Sequence, residues 1–192
     1  MEMHKFEKWF VNSDFCNLFH KIIFFPSLFR FINKELKGRV LEIGCGVGET
    51  SKLISKEYKN IKIISIDYDK SQIYLAKKRN GHLKNVKFEQ GDGTKLNFKN
   101  EEFDYVLETE ALHHIKEYPK VIKESARVLK RGGHFYIMDF TKQTFIWPIR
   151  QLFPPESMFT KQELFKLLED NDFKINNHTG IFMIFIDAVK VK

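Results

Sequence analysis

The segment Arg39-Val40-Leu41-Glu42-Ile43-Gly44-Cys45-Gly46-Val47-Gly48-Glu49-Thr50 constrains this chain more than any other. In it a short apolar strand runs into three glycines spaced G-x-G-x-G, and a helical pattern follows at once. A strand read over Val40–Ile43 delivers the backbone to the carboxyl edge of a sheet. Glycines there let the chain turn sharply and let a ligand reach the main chain without meeting a Cβ. A strand, a glycine turn and a helix in immediate succession open a crossover unit, and crossovers build parallel sheets.

The remainder of the chain repeats that alternation. The helix after the turn runs to about Tyr58. Ile61-Lys62-Ile63-Ile64-Ser65-Ile66-Asp67 reads as a second strand, β-branched and continuous enough for a buried parallel position. Asp69 or Ser71 caps the next helix, which stops at Asn80-Gly81. Val86–Gln90 is a third strand, ending at Gly91-Asp92-Gly93, and Phe103–Glu108 is a fourth. Pro119 opens a helix whose Val121, Ile122, Ser125, Val128 and Leu129 share a face. Arg131-Gly132-Gly133 is its expected stop, and His134–Phe140 the fifth strand. Thr160-x-x-Glu163 forms a capping box for a helix carrying Leu164, Leu167 and Leu168. Phe173–His178 and Ile181–Val191 are two closing strands. Five β–helix units and two adjacent strands describe one Rossmann-like, doubly wound α/β sheet of seven strands. Such sheets hold ligands outside the carboxyl ends of their strands, where strand order reverses.

Residues 1–37 differ in character. They are basic and rich in aromatics, and Phe6, Trp9 and Phe10 share helical spacing, as do Phe15, Leu18 and Phe19. Pro26 marks a boundary within them. We read 1–37 as an N-terminal helical cap and 38–192 as the α/β domain. The cap serves as a packing layer, a lid over the site, or a foot in lipid headgroups. Ile22-Ile23-Phe24-Phe25 falls far short of the roughly 20 apolar residues that span a bilayer, and no secretory h-region is evident. A cytoplasmic protein is expected, with peripheral membrane contact through residues 4–37 left open. The formal net charge of +7 suits an anionic partner, but the lysines are scattered along the chain as on a solvated surface. No Arg-rich tract or RNA-binding aromatic motif appears, so nucleic acid is a minor reading. The two cysteines, Cys16 and Cys45, form no C-x-x-C, which argues against a structural metal site or a disulfide framework. Nothing in the sequence points to an oligomeric state.

Two classes of adenosine cofactor compete for the glycine turn. A dinucleotide favours G-x-G-x-x-G, with bare N–H groups at a helix N-terminus for its pyrophosphate. Here the third glycine, Gly48, arrives one position early, and Glu49 stands where that pattern carries Gly or Ala. A carboxylate in the first helical turn suits the helix dipole but repels a pyrophosphate. A cationic sulfonium with an amino-acid tail meets no such objection. The run Val40–Gly48 resembles the first motif of the class I S-adenosylmethionine-dependent methyltransferases. Phe103-Asp104-Tyr105-Val106-Leu107-Glu108-Thr109-Glu110-Ala111-Leu112-His113-His114-Ile115 is similar to that family's fourth motif, and Val128–Gly133 to the segment before its fifth strand. The nearest likeness is to small-molecule enzymes of the type found in ubiquinone and menaquinone biosynthesis. The resemblance covers residues 39–140 and implies the sheet order 3-2-1-4-5-7-6 with an antiparallel last strand, and S-adenosyl-L-methionine as cofactor.

Independently of the resemblance, acids recur at the ends of five successive expected strands: Glu42, Asp67, Asp92, Glu108 with Glu110, and Asp139. Folding brings those ends together into a crevice suited to a cationic ligand. Asp67 lies 19 residues beyond Gly48 (67 − 48), the distance at which adenosine cofactors place an acid on the ribose hydroxyls. Tyr68 is placed to lie against the adenine or to be an ordinary loop aromatic. The resemblance implies that Asp92, with Gly93 and Thr94, meets the adenine, and that Glu42 orients the methionine end. Gly44, Cys45, Gly46 and Gly48 line the turn, with Glu108 nearby.

For the acceptor, His113 and His114 are the candidate general bases, needed only where the acceptor must lose a proton. Glu108, Glu110 and Asp139 suit an amine's charge instead. Trp147, Phe153 and Phe159, with N-terminal aromatics such as Trp9, suit a lipophilic or aromatic acceptor. Three alternatives stay open: an NAD-type or non-catalytic nucleotide binder, a lipid-headgroup methyltransferase, and an RNA methyltransferase.

Overall fold

The computed structural model describes residues 24–32, 35–144, 157–180 and 183–192. Among these, helix α1 (Phe25–Ile32) precedes β1 (Gly38–Ile43), α2 (Glu49–Glu57), β2 (Ile61–Asp67), α3 (Lys70–Asn80), β3 (Val86–Gln90) and β4 (Phe103–Thr109). After a 3₁₀ turn at Leu112–His114 come α4 (Tyr118–Val128), β5 (Leu129–Phe140), α5 (Lys161–Asp170), β6 (Phe173–Thr179) and β7 (Met183–Lys190). The sheet order is β3-β2-β1-β4-β5-β7-β6. β1 pairs in parallel with both β2 and β4, while β7 is antiparallel to β5 and β6. The expected seven-stranded doubly wound architecture is present, including its antiparallel last strand.

The alternation of side chains along each strand divides the core between the two faces of the sheet. Leu41, Ile43, Val106, Phe135 and Ile137 pack on one face under α4 and α5. Val40, Ile63, Leu107, Tyr136 and Met138 pack on the other, together with Leu28 and Ile32 of α1 and with Leu36. Both faces of β1 and β4 are thus buried, which is why Val40, Leu41, Ile43, Val106 and Leu107 are apolar whichever side they face. α1 therefore belongs to the same core as the sheet. Pro26, expected at a boundary, sits in the first turn of α1, where its missing N–H costs nothing.

Two details depart from the sequence reading. Arg131-Gly132-Gly133 does not end α4, which stops at Val128 as Leu129 turns extended (φ −72°, ψ 139°). The glycines instead lie inside β5, beside an irregularity in its pairing with β4 between Phe103 and Tyr105. Gly132 takes φ 74°, so this pair allows a strand to change register rather than a helix to finish. The second departure is that β3 reaches β4 through a loop, residues 91–102, without a helix. Only four of the first five strands are followed by an α-helix. Among the described residues no helix is long and apolar enough to cross a membrane. Residues 1–23, including Trp9, and residues 145–156, including Trp147 and Phe153, lie outside the described residues.

Candidate active site

The carboxyl ends of β1 and β2 are tied through the glycine turn. Gly44 N–H and Cys45 N–H both donate to the Ile66 carbonyl, at 2.9 and 3.0 Å. Gly44 takes φ 77°, and a Cβ there would lie 2.2 Å from the Cβ of Ala111, so the turn and β4's exit loop demand glycine together. Gly46 is different: at φ 51° its missing Cβ would meet nothing within 4 Å. Its backbone therefore faces open space, the condition for close approach of a ligand. Gly46 N–H donates to Asp67 Oδ2 at 2.8 Å, and Asp69 N–H donates to Asp67 Oδ1 at 2.8 Å. A carboxylate has about four acceptor positions, so Asp67 is held by two backbone groups with capacity to spare. Burial raises its pKa above the ordinary carboxylate value, opposed by those same N–H donors.

Glu42 points to the other face of β1 and is 1% exposed. Ser51 of α2 and Ser65 of β2 both donate to its Oε2, Ser65 at 2.7 Å. Its Oε1 is buried with no partner among the described residues. Burial lifts its pKa to about 7 against the pull of the two hydroxyls. Asn80, at the end of α3, is 1% exposed and donates through Nδ2 to the carbonyls of Val47 and Gly48, at 3.0 and 3.2 Å. Sequence reasoning assigned no site role to Ser51, Ser65 or Asn80. The available signal was a polar residue at a buried position: a serine within the apolar run of β2, and an asparagine that read only as a helix stop.

At the end of β3, Asp92 is exposed and accepts from Thr94 N–H at 2.8 Å and from the Thr94 hydroxyl at 2.7 Å. Gly93 packs onto β1, where a Cβ would lie 2.8 Å from Ile43 Cγ2. Gly91 N–H donates to the Asp67 carbonyl at 3.0 Å, which keeps the ends of β2 and β3 adjacent. Tyr68 is 50% exposed beside them. Glu42, the turn, Asp67 and the Asp92 loop thus form one half of the crevice.

The ends of β4 and β5 form the other half. Glu108 is fully buried, and its Oε1 accepts from the N–H groups of Ala111 and Leu112 at 2.6 and 3.0 Å. Its Oε2 is buried without a partner among the described residues. Burial, then the nearby Asp139 charge, pushes its pKa well up. Glu110 adopts the left-handed conformation (φ 57°), which a non-glycine residue keeps only where its surroundings enforce it. Asp139, also fully buried, accepts from His113 N–H at 3.1 Å and from Phe140 N–H at 2.6 Å, and hydrogen-bonds His113 Nδ1. Ser157 donates to the His113 carbonyl at 2.5 Å. His114 lies against His113 with ring centroids 3.9 Å apart. Burial first, and His113 second, depress its pKa to about 2. The sequence expected Asp139 beside the acceptor; the structure shows it gripping His113. Phe159, read as an acceptor aromatic, is fully buried against Tyr118.

The crevice is therefore lined by buried acids and an open glycine backbone at the switch between β1 and β4. A family described as a methyltransferase domain matches residues 34–185. The chain belongs to that family. The chain is 30% identical to an uncharacterised protein of Methanocaldococcus jannaschii, MJ1123, over 96% of its own length and 85% of that protein's. It is 27% identical to the demethylmenaquinone methyltransferase of Staphylococcus aureus, over 74% of this chain and 71% of the enzyme. The crystal structure of an S-adenosylmethionine-dependent methyltransferase from Aquifex aeolicus superposes with a TM-score of 0.79 at 21% identity, covering 99% of this chain and all of that one. The chain spans about half the length, or less, of several mycobacterial relatives named for phthiotriol dimycocerosates. The resemblance to class I, S-adenosylmethionine-dependent small-molecule methyltransferases is borne out at the level of family and fold.

Proposed function

We propose that the protein transfers a methyl group from S-adenosyl-L-methionine to a small lipophilic or aromatic acceptor. The observation that carries the reading is the Gly46 backbone, open on its ligand side and tied to Asp67, beside a buried Glu42 with an unpartnered oxygen. Glu42 Oε1 and Glu108 Oε2 are buried carboxyl oxygens without a donor among the described residues, and a positively charged ligand supplies what they lack. Asp67 has lone pairs left for ribose hydroxyls, and Tyr68 and Asp92 flank the place for the base. When bound, the cofactor supplies a methyl group already activated for displacement. This chain's residues have to align the acceptor and keep water out, and alignment alone can account for roughly 7–11 kcal/mol of barrier.

For an acceptor that must lose a proton, His113 is the base. Its Nδ1 is engaged by Asp139, which fixes the tautomer and orientation of the ring and stabilises the imidazolium formed. His114, held neutral by burial, takes no part in that charge change. Two lines favour a lipophilic acceptor. The relatives include enzymes named for menaquinone and dimycocerosate substrates, and the segments outside the shared motifs are rich in Trp and Phe. Titration calorimetry tests the cofactor assignment: micromolar binding of S-adenosylhomocysteine and none of NAD is expected. Binding of NAD alone would remove it. Turnover on a panel of phenols, quinols, amines and lipids then separates an enzyme from a cofactor-binding protein, and activity on amines alone would retire His113 as base.

A further inference from the structure

Exposed cations of the described residues divide into those with an acid beside them and those without. Some face acids: Arg39 with Glu102, Lys120 with Glu117, Arg127 with Glu124, Lys166 with Asp170 and Lys192 with Asp172. On α3 and the loop after it five such unpaired cations lie close together, while others, among them Lys56, Lys59, Lys62, Lys95, Lys123 and Lys174, stand on other elements. Lys70, Lys77, Lys78, Arg79 and Lys84 are all exposed, and among the described residues none has an ion pair or a side-chain hydrogen bond. Helical spacing places Lys70, Tyr74, Lys77 and Lys78 on one outward stripe, at i, i+4, i+7 and i+8. The inward positions Gln72, Ile73, Ala76 and Asn80 are buried.

The helix dipole explains part of this stripe. Lys77, Lys78 and Arg79 occupy the last turn, where cations are favoured. Lys70 occupies the first turn, where the dipole disfavours a cation. Nor does the dipole explain Tyr74, which is 67% exposed in the middle of the stripe, or Tyr68, 50% exposed at its head. These are the two most exposed large apolar side chains among the described residues. Flat rings open to solvent between unpaired positive charges are what a single strand of nucleic acid requires: charge for phosphates and a platform for bases. A bilayer requires something else. An interfacial helix buries a broad apolar face, and the exposed positions of α3 carry no Leu, Ile, Phe or Trp.

We propose that the outer face of α3, from Lys70 to Lys84, binds single-stranded nucleic acid. Phosphates lie along Lys70, Lys77 and Lys78, and a base stacks on Tyr74. The surface is separate from the acceptor crevice and stands independently of the methyl-transfer reading. It begins beside Asp67, so a bound strand leads toward the mouth of the crevice.

The test is fluorescence anisotropy on the full chain with labelled oligouridylate and oligothymidylate of about 20 nucleotides, from about 50 to about 200 mM salt. The two oligomers distinguish RNA from DNA as the source of the shared chemistry. The wild type is expected to bind one or both at low salt. Lys77→Gln/Lys78→Gln should weaken binding at least fivefold and flatten the salt slope by about 1.4, or about 0.7 for each lost phosphate contact. Tyr74→Ala should weaken it by about fivefold or more with the slope unchanged, and Tyr74→Phe should restore it. Lys123→Gln/Lys174→Gln, equal in charge and on other elements, should bind within about twofold of wild type. Circular dichroism and thermal unfolding confirm that each variant is folded. Absence of binding at low salt overturns the proposal, as does an equal loss in the Lys123/Lys174 pair. Pelleting with anionic vesicles in place of oligomer binding would assign the face to a membrane and overturn it equally.

Discussion

Replacing Glu42 with glutamine tests the electrostatic reading of the crevice at its base. Glu42 is 1% exposed, and burial raises its pKa from 4.5 to about 7. The folded protein therefore holds this proton more tightly than the unfolded chain does. The stabilising effect is complete below about pH 4.5 and is lost as pH rises to about 7. A shift of about 2.5 units at 1.36 kcal/mol each puts the loss at about 3 kcal/mol. The amide introduced by Glu42→Gln mimics the protonated side chain, with hydroxyls of Ser51 and Ser65 still within reach. The variant should match wild type near pH 4.5 and exceed it by about 3 kcal/mol at pH 8, on the order of 10 °C in Tm for a chain this long. Urea and thermal unfolding at both pH values measure this directly. The same substitution should weaken S-adenosylhomocysteine binding at pH 8, since a neutral amide offers no charge to the ligand's ammonium. A variant that is less stable than wild type at pH 8, or whose advantage does not change with pH, would refute the argument that Glu42 is an uncompensated buried acid awaiting a cation.

Further expectations follow from the same geometry. Asp67→Ala should weaken S-adenosylhomocysteine binding at least tenfold, about 1.4 kcal/mol; near-normal affinity in calorimetry would remove the ribose assignment. His114, with its pKa depressed to about 2 by burial, acts in the sense opposite to Glu42. Its contribution is present above about pH 6.5 and is lost as pH falls, by about 2 kcal/mol at pH 5. In His114→Asn, thermal unfolding between pH 7.5 and pH 5 should lose that component, and an unchanged acid sensitivity would contradict it. Asp139→Asn should lower kcat for a hydroxyl acceptor by about tenfold or more and shift the pH–rate profile. S-adenosylhomocysteine affinity should stay close to wild type, and a kcat unaffected by the change would leave the His113–Asp139 contact a purely structural one.

Much of the architecture was legible in the residues alone. The alternation of β-branched runs with helical patterns marked the strands and most helices, because strands buried on both faces are mostly apolar and side-chain caps mark the starts of α3 and α5. The capping box at Thr160 and Glu163 and the Asp69 cap appear where the sequence placed them. The acids at the strand ends were legible too, since parallel crossovers force those ends to one edge. Other features depend on distances between residues far apart in the chain. Arg131-Gly132-Gly133 reads as a helix stop, yet pairing of β5 with β4 draws it into the sheet. Nothing near Glu42 in the sequence foretells that Ser51 and Ser65 share its Oε2 and leave Oε1 bare. Asp139 lies 26 residues from His113, and only the fold decides that the acid holds this ring. The lysines of α3 look like any others until folding places them around the exposed ring of Tyr74. The sequence determined the order of elements and the kinds of charge each would carry. The tertiary structure decided which charges are buried, which are paired and which are left facing a ligand, because burial and pairing depend on through-space proximity and not on spacing along the chain.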